Sequence, residues 1–362
     1  MRTIRITGTG SALPGRIVTN KELEQMVETS DEWIRERTGI GERHVSVGET
    51  VVTLASEAAR KALEQAGKRA EEIDLILVAT CSPEQYLPCC ACQVQAAVGA
   101  VNALAFDVNA ACSGFLFALN TADAYLRTGL AENALVIGSE VLSKLVDWKD
   151  RGSCILFGDG AGAVVMERCR TESRAVEYSN ALLETEKGMQ ETAEEKRIPA
   201  AGILGRALHS DGTGGGVLQC GARELTTPYV RTSAAKTDQN QPTNDREHYI
   251  QMDGQEVYRF ATRRVPQCIE EALADAGLAV PDIDMFVLHQ ANARIIDAVA
   301  KRLHADRDKF PTNLERVGNM SSASIPVLLD ELNRQRKLHR GDRIVLAGFG
   351  AGLTIGACVM TW

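Results

Sequence analysis

The stretch Ala62–Ser82, ALEQAGKRAEEIDLILVATCS, has a counterpart at Ala272–Asn292, ALADAGLAVPDIDMFVLHQAN, and this pair decides the fold. Each reads as a helix end, an Ala-Gly stop, an Ile-Asp pair and a continuous apolar run. Gly67 matches Gly277 and Asp74 matches Asp284, both 210 residues apart, and the same offset lays LVIG at 135–138 on VLAG at 345–348. A constant offset over several elements marks an internal repeat, so the chain divides into two homologous halves. The runs Leu75–Ala79 and Met285–Leu288 are apolar on both faces, which predicts strands of a buried sheet covered by helices. Two such halves packed together predict an α/β protein with a five-layered core of helices and two sheets. The segment SGFLFALNTADAYL (113–126) is apolar nearly all round and belongs between the sheets. The expected division is an N-terminal half over 1–170, an irregular insertion or linker over 171–210, and a C-terminal half over 211–362. The polar stretch 184–197 reads as an exposed helix or loop, and 210–216 and 236–247 read as loops.

Of the 362 residues 44% are hydrophobic and 24% charged, which is a globular composition and excludes a disordered chain. A net charge of −8 argues against a nucleic-acid surface. No apolar run reaches the length of a membrane span. The N-terminus MRTIRITGTGSALPG reads as strand and turn, not as a signal peptide. A cytoplasmic protein with no nucleic-acid or membrane partner is expected, with its ten cysteines as thiols. Cys89, Cys90 and Cys92 lack a second ligand pair and a nearby His, so no metal site is expected.

The repeat leads to the stretch DVNAACSGF (107–115). Asn109 falls on Asn319 and Cys112 on Ser322, so NAACSG is laid on NMSSAS. Symmetry accounts for small residues at the start of two buried helices, but not for a sulfur on one side alone. A lone Cys112 would be a small core hydrophobe; the asymmetry favours chemistry. Cys112 stands directly before a helical segment, whose dipole is expected to lower the thiol pKa. LHQAN (288–292) ends a strand, placing His289 and Asn292 at a carboxyl edge of the sheet, where ligand sites collect. A Cys, a His and an Asn (Asn319) facing one cavity suit acyl transfer through an oxyanion or enolate. Taken singly, His289 also fits a core histidine, and Asn319 a helix cap. The glycine-rich runs FGDGAGAVV (157–165) and GFGAGLTIG (348–356) lead into strand patterns, which excludes a dinucleotide fingerprint.

DVNAACSGF, HQANARII (289–296), NMSSAS (319–324), GFGAGLT (348–354), DEWIRERTGI (31–40) and FGDGAGA (157–163), in this order of function rather than sequence, resemble beta-ketoacyl-acyl carrier protein synthase III. The resemblance runs nearly end to end, except about 168–205. It implies the thiolase-like fold with two pseudo-symmetric halves in an αβαβα core, a homodimer, and no permanently bound cofactor. The implied reaction is a decarboxylative condensation of an acyl-coenzyme A starter with malonyl-acyl carrier protein. Carried over by residue, the resemblance implies Cys112 as the acylated nucleophile and His289 and Asn319 as donors to the malonyl thioester. It implies the backbone N–H groups of Cys112 and Ala351 as the oxyanion hole. Trp33, Arg37 and Arg151 would hold coenzyme A, with Asn292 orienting the site beside them. Leu87, where several relatives have Phe, would reach the partner's acyl pocket. The interval between Gly138 and Gly162 exceeds that between Gly348 and Gly356 by about 16 residues, an extra loop carrying Trp148 and Arg151. Arg294, Lys301 and Arg302 share part of one helical face beside His289, and Arg259 and Arg263 lie four apart on another helix. These are candidate docking charges for the acidic carrier protein. The competing readings are a related condensing enzyme that starts a polyketide or quinolone-type chain, and a non-catalytic partner subunit, which would be expected to lose Cys112.

Overall fold

The computed structural model describes residues 2–170, 202–221 and 248–362; the stretches 184–197 and 236–247 lie outside the described residues. Strands β1 (Arg2–Ala12), β2 (Arg16–Thr19), β3 (Glu42–Val45), β4 (Leu75–Ala79), β5 (Leu104–Val108), β6 (Asn133–Glu140) and β7 (Gly160–Arg170) belong to the first half. Five of them form one sheet in the order β1-β7-β6-β4-β5, and β2 pairs with β3. In the second half, β8 (Gly202–Ser210), β9 (Leu218–Gln219), β10 (Gln251–Met252), β11 (Met285–Leu288), β12 (Arg343–Gly350) and β13 (Thr354–Thr361) follow. Here the sheet order is β11-β12-β13-β8, with β9 and β10 paired apart.

The repeat is visible element by element. β6 and β12 are 210 residues apart at both ends, as are the 3-10 turns Ala111–Ser113 and Ser321–Ala323. The helices before β4 and β11, Val51–Ala66 and Gly254–Ala276, both stop at a left-handed glycine, Gly67 (φ 64°) and Gly277 (φ 67°). Gly138 pairs with Gly162 and Gly348 with Gly356, so the two hairpins correspond. One is closed by residues 351–353, the other by 141–159, which is the extra loop expected from the sequence.

The sheets stack as expected. Helices Gly114–Thr128 and Ser324–Arg334 lie between them, in one apolar cluster with Leu77 and Val136 of the first sheet and Val287 and Leu346 of the second. Phe115, Leu116, Leu119 and Leu126 are fully buried there, each contributing roughly 1.5–3 kcal/mol. Val51–Ala66 and Cys90–Val98 cover the outer face of the first sheet, Gly254–Ala276 and Ala293–Arg302 that of the second.

One boundary differs from the sequence reading. Residues 202–210, assigned to the linker, form β8 and pair with β13 along the edge of the second sheet. β8 is the counterpart of β1. A Cβ on Gly8 would lie 2.2 Å from the Ala62 carbonyl oxygen, and one on Gly205 would lie 2.3 Å from that of Ala272. Strand and helix touch backbone to backbone at both places. The offset there is 197, so a search at a constant 210 passes over it. Among the described residues no helix is long and apolar enough to cross a membrane, and all ten cysteines are free.

Candidate active site

The loops after β4, β5, β11 and β12 and the turn before helix Ser324–Arg334 meet at one end of the sheets. Cys112 sits in the 3-10 turn Ala111–Ser113, one step before the long central helix. Ala111 has φ 47°, and the Asn109 Oδ1 accepts its N–H at 3.3 Å. The mirror turn repeats this: Ser321 has φ 47°, and the Asn319 Oδ1 accepts its N–H at 2.9 Å. A non-glycine residue in this region costs about 1–2 kcal/mol, and each asparagine offsets part of that with a hydrogen bond. Asn319 is therefore not the helix cap its local sequence allows, the cap positions being Met320 and Ala323; its Oδ1 braces the turn, which leaves its NH2 as the group to serve the cavity. The turn is pinned to the end of β12 as well. Ser113 Oγ donates to Thr354 Oγ1 at 2.8 Å, and Thr354 Oγ1 lies 3.0 Å from the Ala351 carbonyl.

Cys112, His289, Asn292, Asn319, Gly350 and Ala351 line one cavity of about 350 Å³. The rest of its wall is largely apolar, with Leu142, Leu156, Phe157, Ile250 and Val257 among its residues. The structure therefore brings together the Cys, His and Asn that the sequence places in three separate motifs. Asn292 caps the helix Ala293–Arg302, accepting the Arg294 N–H at 2.9 Å, while its NH2 donates to the Arg37 carbonyl at 3.0 Å. Its Oδ1 is spent on its own helix, and its NH2 ties the His289 loop to helix Asp31–Thr38.

Protonation differs from the sequence expectation at Cys112. Burial pushes the thiol up to about 12, and the carboxylate of Glu140 adds to the rise; a Ser321 hydroxyl contact and the Cys112 N–H pull the other way. The dipole of the following helix does not overcome loss of water around the sulfur, so the resting nucleophile is a thiol. Burial likewise drives His289 down to about 3, which makes it neutral at physiological pH. Its Nδ1 is buried without a partner, so no protein acceptor draws the ring proton to that side. A neutral imidazole and a neutral amide facing one cavity are hydrogen-bond donors to an oxygen that becomes negative. They are not a charged acid and base.

Trp33 lies outside the cavity, with two guanidinium groups over its ring: Arg37 is 5.0 Å and Arg151 4.9 Å from the ring centroid. Arg151 also donates to the Glu28 carbonyl at 3.0 Å. With Arg151 at that distance no aromatic ring fits between it and Trp33. Leu87 is 85% exposed and does not line this chain's cavity. Arg294 lies 6.0 Å from the ring of Tyr258, a cavity-lining residue, which puts that cation at the mouth. Arg302 donates to the Thr262 carbonyl at 3.2 Å, joining the helices Ala293–Arg302 and Gly254–Ala276, and Lys301 and Arg259 are exposed nearby.

Sequence reasoning passed over Cys81, Ser321 and Glu140. Cys81 and Ser321 line the cavity, and Glu140 is wholly buried beside it. Its carboxylate accepts from Ser322 Oγ at 2.8 Å, Ser82 Oγ at 2.5 Å and the Cys81 N–H at 3.1 Å. The repeat carries a usable signal for two of them: Ser321 falls on Ala111 and Glu140 on Gly350.

Comparison with known proteins agrees with this geometry. The family description 3-oxoacyl-[acyl-carrier-protein] synthase III matches residues 106–183, and that of the C-terminal part of the same enzymes matches residues 273–362. The beta-ketoacyl-[acyl-carrier-protein] synthase III of Clostridium acetobutylicum is 44% identical over 362 residues, covering 100% of this chain and 99% of the relative. The crystal structure of 3-oxoacyl-[acyl-carrier-protein] synthase III from Aquifex aeolicus superposes with a TM-score of 0.83 at 38% identity, covering 99% of this chain and 100% of that one. The priming beta-ketosynthase of the R1128 polyketide biosynthetic pathway superposes with a TM-score of 0.83 at 33% identity, covering 99% and 96%.

Proposed function

The chain belongs to the beta-ketoacyl-[acyl-carrier-protein] synthase III family, and from that premise we propose that it condenses an acyl-coenzyme A starter with malonyl-acyl carrier protein, initiating fatty acid synthesis. The observation that carries this reading is the convergence of Cys112, His289 and Asn319 on one largely apolar cavity.

In the first half-reaction the Cys112 sulfur attacks the thioester carbonyl of the starter. The carbonyl oxygen takes up the negative charge, and the backbone N–H groups of Cys112 and Ala351 stabilise it. Collapse expels the coenzyme A thiolate, which takes up the proton released by the Cys112 thiol, and leaves an acyl group on Cys112. In the second half-reaction His289 and Asn319 donate to the thioester oxygen of the malonyl group. Carbon dioxide leaves, the electron pair of the broken bond forms the enolate, and those two donors hold its oxygen. The enolate carbon attacks the acyl carbonyl on Cys112, and the Cys112 thiolate departs, giving the 3-oxoacyl carrier protein and taking up a proton from solvent to restore the thiol. A neutral His289 serves this role because it donates without first having to lose or gain a proton.

Coenzyme A is assigned to Trp33, Arg37 and Arg151, with Arg151 swinging off the Trp33 ring to admit adenine. The acidic carrier protein is assigned to Arg259, Arg294, Lys301 and Arg302. The exposed Tyr86, Leu87 and Leu104, next to the free edge of β5, support a homodimer in which Leu87 reaches the partner's acyl pocket. A cytoplasmic location is part of this proposal, since acyl-coenzyme A and the carrier protein are its substrates.

Incubation with acetyl-coenzyme A followed by intact-protein mass measurement tests the reading. Wild-type protein gains one acetyl group and Cys112→Ser none, because an alcohol has no comparable anion at neutral pH. His289→Ala and Asn319→Ala gain the acetyl group but condense it about 10²–10³-fold more slowly. Loss of acetylation in those two variants with condensation spared overturns the assigned roles. The priming ketosynthase likeness favours a second reading, a starter for a polyketide chain. A panel of acyl-coenzyme A thioesters, with acetyl preferred for fatty acid synthesis, separates the two.

A further inference from the structure

Ser321 carries two unfavourable features at one position. Its backbone has φ 47°, a region that side chains other than glycine rarely occupy. Its hydroxyl is buried, with the residue 2% exposed, and makes no hydrogen bond. Neither feature is needed by the turn. Ala111 occupies the equivalent place in the mirror turn at the same φ, and the bond that holds the Ser321 backbone comes from Asn319 Oδ1. An alanine would keep that bond and remove an unpartnered buried polar group, which is costly to retain.

The hydroxyl has neighbours of another kind. It belongs to the turn Ser321–Ala323, which packs against the turn Ala111–Ser113 that carries Cys112, and it acts to lower the Cys112 and Cys81 thiol pKa values against the larger rise from burial. Ser321, Cys81 and Cys112 all line the same cavity. The two sulfurs are not equivalent. Cys81 Sγ lies 3.5 Å from the Glu140 carboxylate and donates to it, so it holds its proton beside an anion. Cys112 has no such acceptor. A hydroxyl can donate one hydrogen, and the sulfur that becomes negative during the reaction is that of Cys112.

We infer that Ser321 is a further catalytic residue, whose hydroxyl donates a hydrogen bond to the Cys112 sulfur as the thiol becomes a thiolate and so sets the reactivity of the nucleophile. The serine transfers no proton; it solvates the anion where water is excluded. The inference rests on Cys112 being the acylated residue. The titratable groups that act on Cys112 or line its cavity are Glu140 from the end of β6, Cys81 from the loop after β4, His289 from the loop after β11, Tyr258 from helix Gly254–Ala276, and Cys220 after β9. Glu140 opposes the anion, Cys81 is held protonated, and His289 and Asn319 are assigned to the malonyl oxygen, which leaves the Ser321 hydroxyl to favour it.

The test is the rate of iodoacetamide alkylation at the Cys112 peptide between pH 6.5 and 9, followed by mass spectrometry, for wild type, Ser321→Ala and Ser321→Gly. Loss of one hydrogen bond to an anion raises a pKa by about one to two units. The higher basicity of the remaining thiolate returns about half of that logarithm as nucleophilicity. Both variants are therefore expected to alkylate Cys112 roughly 3- to 10-fold more slowly at every pH, with an unchanged slope, and to accept acetyl groups more slowly by a similar factor. A purely structural serine predicts the opposite, since a loosened turn exposes the sulfur and speeds alkylation. Glycine suits the positive φ, so the Gly variant carries the test should the Ala variant fold poorly. Wild-type alkylation rates in a folded variant overturn the inference. If wild-type protein itself takes no acetyl group on Cys112, the functional reading fails instead, while the alkylation ratio still reports on Ser321.

Discussion

Gly348 and Gly350 stand two apart on β12, on the same face of the sheet, one beside each half of the chemistry. A Cβ at 350 would lie 2.6 Å from the Cys112 backbone nitrogen and 3.1 Å from the Ser113 nitrogen. Ordinary contacts begin near 3.4 Å, so the strand and the nucleophile turn must part by about 0.8 Å, with backbone on both sides and no flexible end to yield. Overpacking of this kind costs about 1–3 kcal/mol of stability. Displacing reacting groups by about 1 Å costs on the order of 10²-fold in rate. Gly350→Ala is therefore expected to slow acylation of Cys112 about 10²-fold, or ~2.7 kcal/mol of barrier. At 348 the nearest atom is the His289 Cβ at 3.2 Å, a shortfall of a few tenths of an ångström. Gly348→Ala should spare acylation and slow condensation by roughly 3- to 10-fold, in proportion to the smaller displacement. Quenched single-turnover reactions read both steps: acetyl-coenzyme A with each variant, then malonyl carrier protein with the pre-acylated protein. Acylation by Gly350→Ala within threefold of wild type, in a folded variant, refutes the claim that β12 sets the position of Cys112. Loss of acylation in Gly348→Ala with condensation spared refutes the division of the strand between the two steps.

Burial holds His289 neutral down to about pH 3, while the unfolded chain takes up a proton near 6.5. The unfolded state thus binds more protons in that window, so His289 costs no stability above pH 6.5 and up to about 1.4 kcal/mol per pH unit as the pH falls towards 3. Urea unfolding of wild type and His289→Gln between pH 4.5 and 7 should show a shallower acid loss in the variant by about one proton, and identical slopes would contradict the buried neutral ring. Arg294→Glu, and Lys301→Glu with Arg302→Glu, should raise the apparent KM for malonyl carrier protein at low salt with acetylation of Cys112 by acetyl-coenzyme A little changed; salt should narrow the difference, and equal impairment of both steps would remove the docking assignment.

The repeat made most of the architecture legible, because backbone-level needs leave sequence marks. The left-handed stops at Gly67 and Gly277, the paired glycines of the two hairpins and the all-apolar runs of β4 and β11 each have few acceptable residues. β8 was hidden because its counterpart, β1, stands at another offset. Cys112, His289 and Asn319 were legible as motif residues, but the state of the thiol was not. Helix polarity can be read along a chain, whereas burial of a sulfur by Glu140, Cys81 and the cavity wall depends on residues brought in from other loops. The Arg151 position on Trp33 was equally hidden, since it is set by a carbonyl at Glu28.

The symmetry also shows why one turn is reactive and its mirror is not. Glu140 ends β6 where Gly350 ends β12, and Ser322 stands where Cys112 does. In the first half the space beside the turn is filled by a carboxylate, which accepts from the Ser322 hydroxyl, the Ser82 hydroxyl and the Cys81 N–H. A buried carboxylate survives there because hydroxyl and N–H donors surround it. In the second half glycine removes the side chain, so the strand packs directly against the Cys112 turn and no carboxyl stands there. The same frame thus holds a buried carboxyl on one side, its pKa raised by burial, and a bare backbone edge against the nucleophile turn on the other. Chemistry enters the repeat where a side chain is withdrawn from a pocket of donors and a thiol is placed at its edge.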